Sequence, residues 1–153
     1  METGIDPENI HTTVLGGHGD EMVPLVRYSS IAGMPLSYFL SPEKIDQIVA
    51  RTRDGGAEIV RYLKTGSAYY APGASACKMA QAIIKDQHHI YPASVFLQGE
   101  YGMSDICFGV PVLLGRAGVE RIMELELNDE ERAAMKRSAD LIRSTMASLK
   151  LDK

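Results

Sequence analysis

The strand-like runs in the second half of this chain follow one another across turns with no helix between them, and that order narrows the fold more than any other feature. Ile90 to Leu97 reads as one strand, followed by the turn-rich Gln98-Gly99-Glu100-Tyr101-Gly102. Ile106 to Leu114 reads as a second, followed by Gly115-Arg116-Ala117-Gly118. Met123, Leu125 and Leu127 then alternate with Glu124 and Glu126, the period of a half-buried strand. Parallel strands need long crossovers, usually helices, whereas short turns join antiparallel ones. The expected class is therefore α+β: short mixed or antiparallel strands with packed helices and no βαβ alternation.

The clearest helix is the long C-terminal one. Asn128 caps it, Glu131 sits three residues on in capping-box fashion, and Met135, Ala139, Ile142, Met146 and Leu149 form one apolar stripe. Ser41-Pro42-Glu43 starts another: a serine cap, proline in the first turn, and an acid at the positive end of the dipole. Ile45, Ile48, Val49 and Thr52 share its face, and Ile59, Val60 and Leu63 continue the stripe. Gly55-Gly56 predicts a kink and Gly66 an end. A second helix is expected from about Ser75 to Asp86, with Met79, Ala80 and Ile83 inward. Earlier in the chain, Val14-Leu15 runs into Gly16-Gly17-His18-Gly19-Asp20. Met22 to Tyr28 and Met34 to Leu40 read as extended segments around a turn at Ala32-Gly33.

A length of 153 residues suits one domain, and 45% apolar with 24% charged residues is a globular composition. The net charge of −4 and the lack of a basic cluster set nucleic-acid binding aside. Ile106 to Leu114 is too short and too interrupted to span a bilayer. Met1-Glu2-Thr3-Gly4-Ile5-Asp6-Pro7 has neither the basic nor the apolar part of a signal peptide. Cys77 and Cys107 are expected to be buried, reduced thiols of a cytoplasmic protein.

No GxGxxG follows an expected strand. Gly115-Arg116-Ala117-Gly118 is a hairpin turn and cannot set a helix N-terminus on a pyrophosphate, so no dinucleotide-binding (Rossmann) domain is expected. Of the four histidines, His18 stands out: glycines flank it at the end of an apolar strand, leaving the ring uncrowded. A histidine with an ordinary pKa of about 6.5 gives and takes a proton near neutrality. From spacing alone, a merely polar turn is the commoner reading of Gly-His-Gly. His88-His89 with Asp86 reads as a solvated helix end, and a zinc site from His18, Asp20 and His88 lacks ligand spacing, so no metal is expected.

Leu15-Gly16-Gly17-His18-Gly19-Asp20-Glu21-Met22-Val23-Pro24 resembles the catalytic-histidine segment of malate dehydrogenases of the lactate-dehydrogenase-like type. Five further motifs follow in the family's order: Arg53 to Val60, Gly66 to Pro72, Gly99 to Gly102, Gly109 to Pro111, and Gly118 to Glu120. The resemblance covers nearly the whole chain and implies the family's C-terminal, substrate-binding domain over residues 1–153. It implies that His18 is the proton donor and acceptor of an NAD-dependent oxidoreductase of the tricarboxylic acid cycle, protonating oxaloacetate or deprotonating malate. Ala68 and Pro72 would line the substrate and nicotinamide side of the pocket, with ordinary loop packing an equal alternative. Lactate dehydrogenases carry threonine where Ala68 stands, so the run looks malate-type. The family's orienting aspartate, its carboxylate-clamping arginine and the NAD-binding Rossmann half would lie before Met1. They would have to come from a partner half, supplied in trans if need be. Asp20 is too near to be that aspartate, and Arg27, Arg51 and Arg53 read as surface or interface charges. The family's oligomeric habit implies a homo-oligomer. The isolated chain is expected to be inactive, and a non-catalytic assembly domain is the alternative.

Overall fold

The computed structural model describes residues 2–149. Its centre is an antiparallel sheet of β6 (His89–Gln98), β7 (Ser104–Gly115) and β8 (Gly118–Ile122), in that order, with β7 in the middle. Gly115 and Gly118 close the β7–β8 hairpin across the expected turn. Two small antiparallel units precede it: β1 (Ile10–His11), β4 (Ser30–Ile31) and β5 (Met34–Pro35) form one, and β2 (Val14–Leu15) with β3 (Val23–Pro24) the other. Every strand pair among the described residues is antiparallel, which narrows the expected mixed or antiparallel arrangement to one.

Three helices complete the fold: α1 (Pro42–Leu63), α2 (Tyr70–Ile84) and α3 (Asp129–Ser148). On β7, Ile106, Phe108, Val110 and Val112 are fully buried. They meet Leu15, Val23 and Leu25 from around β2–β3 and Met135 and Ala139 from α3 in one core. β7 thus serves as the spine against which the hairpin and the last helix are packed. Side chains alternate across a strand, which puts Cys107 on the opposite face. Both Cys107 and Cys77 are free and exposed, not buried as expected.

Both expected caps are present. Ser41 Oγ accepts the Lys44 N–H, and Asn128 and Glu131 form a reciprocal capping box. Glu131 also takes a two-point pair from Arg27, at 2.6 and 3.0 Å. That guanidinium holds the Glu131 carboxyl below its usual range. The apolar stripe of α3 turns inward only over its first half, since Met146 and Leu149 are exposed.

Four expectations fail in instructive ways. Helix α1 runs unbroken through Gly55-Gly56, and exposed Arg51–Glu58 and Asp54–Arg61 pairs straddle the glycines, each spanning about two turns. Helix α2 starts at Tyr70, five residues before the expected Ser75. Pro72 lies in its first turn, where no intrahelical N–H is needed. Its one buried residue is Ala82, whereas Ala80 is exposed. The segments Met22 to Tyr28 and Met34 to Leu40 are not continuous strands but two-residue bridges followed by 3-10 turns. Met123 to Leu127 alternates in burial without joining a sheet along its length. Tyr101 Oη accepts the Leu125 N–H and donates to the Met123 carbonyl, while Tyr28 and Arg27 donate to the Glu126 carbonyl. Side chains thus satisfy the backbone that a neighbouring strand would have paired.

Candidate active site

His18 stands in the link between β2 and β3, and that link is fixed to the spine strand and to α3. Because β8 pairs only with Val112 to Gly115, the edge of β7 at Gly109 stays open. Gly16 fills it, and the two glycines exchange both backbone hydrogen bonds, at 2.9 and 3.2 Å. A Cβ on Gly109 would lie 2.4 Å from the Gly16 carbonyl oxygen, so a side chain has no room there. Gly16 holds φ at +95°, a left-handed conformation natural to glycine. On the other side Ser138, fully buried on α3, accepts the Gly17 N–H at 2.9 Å. The Met22 N–H closes the turn on the Gly19 carbonyl at 3.0 Å.

Beyond these anchors the His18 ring is exposed. It lines two clefts at once. One, of about 340 Å³, runs along the second half of α3 past Leu141, Ile142, Thr145 and Met146. The other, of about 480 Å³, opens toward Pro92, Ala93 and Ser94 of β6 and Cys107 of β7. Among the described residues, the histidine ring hydrogen bonds and ion pairs are those of His88. The His18 ring therefore has both nitrogens available to a ligand, and Asp20 does not orient it. Ala68, half-buried before α2, and Pro72, exposed in its first turn, line neither cleft. A further cleft, of about 730 Å³, lies between the N-terminal segment and α1 and is lined by no histidine.

Sequence reasoning singled out His18 as a candidate but not the groups that anchor its turn. Gly109 was visible as part of a motif without a role. Ser138 carried a usable signal: a serine one turn after Met135 and beside Ala139, on the apolar face of a helix. The three arginines are exposed, as expected; Arg53 donates to the Met22 carbonyl at 3.3 Å, just past the histidine turn.

Metal-capable side chains gather elsewhere. Among the described residues Asp86, His88 and Glu120 approach one another, with His88 Nε2 3.1 Å from Glu120 Oε2. His18, Asp20 and His88 form no such group. His88 precedes β6 with a φ of +54° and does not end a helix.

The model of the lactate/malate dehydrogenase alpha/beta C-terminal domain matches residues 1–150. The chain belongs to that family. Relatives named malate dehydrogenase include those of Roseiflexus sp. (strain RS-1), 55% identical over 98% of this chain and 48% of that protein, and Bacillus cytotoxicus, 52% identical over 97% and 48%. The chain thus spans about half the length of the curated relatives it matches. Among solved structures, Cryptosporidium parvum malate dehydrogenase superposes with a TM-score of 0.94, at 40% identity, over 97% of this chain and 49% of that one. The lactate dehydrogenase of the same organism, complexed with lactic acid and nicotinamide adenine dinucleotide, gives 0.92 at 39%, over 98% and 49%. Lactate and malate enzymes of this family therefore share the fold seen here.

No Gly-rich turn leads from a strand into a helix among the described residues, and the first turn of α3 carries three acids, Asp129, Glu130 and Glu131. Among the described residues, no helix is long and apolar enough to cross a membrane.

Proposed function

We propose that this chain is the substrate-binding, acid–base half of an NAD-dependent malate dehydrogenase, with His18 as the group that moves the proton. The observation that supports this most is the presentation of His18. A backbone with no slack, held by Gly16, Gly17 and their partners, offers an unpaired imidazole to two clefts. An imidazolium at that position gives its proton to the carbonyl oxygen of oxaloacetate. In the reverse direction the neutral ring takes the hydroxyl proton of malate. A positioned side chain of this kind contributes roughly 10²–10⁴-fold to rate.

In this reading NAD is held by a nucleotide-binding half of the kind that fills out the relatives' length. Ala68 and Pro72 reach the substrate and nicotinamide once the halves are joined. Malate is preferred over lactate because the relatives at 52–55% identity are named for it. A homo-oligomer also belongs to this reading. One observation favours the non-catalytic alternative, a domain that serves only assembly: Ile59, Val60 and Leu63 on α1 are each more than 40% exposed. Such a stripe fits an interface with another domain or copy.

Joining the chain to the nucleotide-binding half of the Roseiflexus enzyme tests the two readings. Oxaloacetate-dependent NADH oxidation at about 1–1000 per second, well above that with pyruvate, is the expected result. A folded fusion that binds NADH but turns nothing over supports the assembly reading instead.

A further inference from the structure

We propose that Ser138 is the positioning residue for His18, acting through the backbone and not through substrate. This inference rests on the acid–base reading of His18 given above. Ser138 is one of two buried polar residues among those described, and the other, Ser29, bonds within its own turn to the Leu25 carbonyl. Ser138 instead reaches across 121 residues of sequence to the Gly17 N–H, the peptide unit immediately before the histidine. Its Oγ also limits the space at Gly16, where a Cβ would come within 2.7 Å.

The placement has a physical consequence. A Gly-His-Gly run has little intrinsic conformational preference, so the direction of the imidazole has to be set by what holds its neighbours. Gly109 fixes Gly16 from β7, and Ser138 fixes Gly17 from α3. Removing the serine oxygen leaves a part-buried N–H without its acceptor and frees the loop to turn toward one cleft or the other. A displacement of about 1 Å at a reacting group can cost roughly 100-fold in rate. Helix α3 thereby sets the histidine's aim, and its second half, through Leu141 and Ile142, walls one of the two clefts that the ring lines.

The test uses a graded series, Ser138→Cys and Ser138→Ala. The thiol keeps the volume but is a weak acceptor, so it should fall between serine and alanine. In the 153-residue chain, amide and imidazole NMR should show the Gly17 N–H and His18 ring resonances shifting progressively along the series. In the fused enzyme, kcat with oxaloacetate should fall roughly 10- to 100-fold for alanine and less for cysteine, with the KM for NADH unchanged. Met135→Ala, which thins the core one turn away, is the control for lost stability alone. It should lower the melting temperature while leaving the His18 resonances and kcat in place. Should alanine fail to fold, the cysteine variant carries the test. Unmoved Gly17 and His18 resonances in a folded variant, or a kcat loss matched by Met135→Ala, would overturn the positioning role and leave the acid–base reading standing. An inactive wild-type fusion would count against the acid–base reading, while the shifts in the isolated chain would still report whether Ser138 sets the loop.

Discussion

Gly109 is the residue whose identity the backbone dictates most directly. Its Cα faces the Gly16 carbonyl so closely that an added methyl would meet the oxygen at 2.4 Å. That neighbour is backbone and cannot rotate away. Gly109→Ala is therefore expected to destabilise the chain by about 1–3 kcal/mol, the usual cost of overpacking, as measured by urea unfolding. The same substitution should also shift the His18 ring resonances, because it pushes on the histidine link itself. Phe108→Ala, one residue away on the buried face, should cost more, about 3–5 kcal/mol, while leaving those resonances near their original positions. An unperturbed Gly109→Ala chain would show that Gly16 is not held against β7. At this scale His18 was legible in the sequence because glycines frame it and a family motif surrounds it. Its anchors were less so: Gly109 and Ser138 act through contacts 93 and 121 residues distant, and the one local hint is a serine on the apolar face of a helix, which does not name its partner.

Helix α3 shows what a local signal can carry. Its cap and first turn were readable because the capping box lies within four residues, Asn128 to Glu131. Sequence did not reveal that Glu131 also binds Arg27, which ties the helix to the segment after β3. The pair gives a signed pH dependence. The folded-state carboxyl titrates below its usual value of 4.5, so the unfolded chain binds the proton more readily. The stabilisation is full above that value and is lost as pH falls through the lowered folded pKa. Glu131→Gln should accordingly flatten the acid limb of a stability-versus-pH curve and leave the neutral-to-alkaline shape alone. An unchanged acid limb would show that the Arg27 pair does not hold in solution. Asn128→Ala should lower stability by about 0.5–2 kcal/mol in thermal or urea melts. The alternation at Met123 to Leu127 misled because burial period and sheet pairing are separate facts. The side chains alternate, but Tyr101, Tyr28 and Arg27 take the backbone groups. The two-residue strands around β3 and β5 were hidden for a related reason, as 3-10 turns leave little periodic trace.

Across the whole molecule, the antiparallel order of the strands was legible because turns and runs are local, and it excluded a dinucleotide-binding sheet for these residues. The apolar surface left on α1 was less legible, because a stripe in sequence does not say whether its partner is in the same chain. Two consequences follow for the chain by itself. It should show no saturable micromolar NADH binding in a fluorescence or calorimetric titration, since no Gly-rich turn leads from a strand into a helix among the described residues to receive a pyrophosphate. It should also show no turnover of oxaloacetate, because nothing here holds both reactants in near-attack geometry, a contribution of about 7–11 kcal/mol in favourable cases. Micromolar NADH binding by the isolated chain would contradict this division of labour.

The central claim is that His18 moves the proton, and kcat of the fused enzyme with and without that imidazole tests it most directly. His18→Asn is predicted to lower kcat for oxaloacetate reduction by about 10²–10⁴-fold. Urea unfolding and NADH affinity should stay at wild-type values, because the ring is exposed and packs against little. A His18→Asn fusion that turns over oxaloacetate as fast as the wild type would contradict the account.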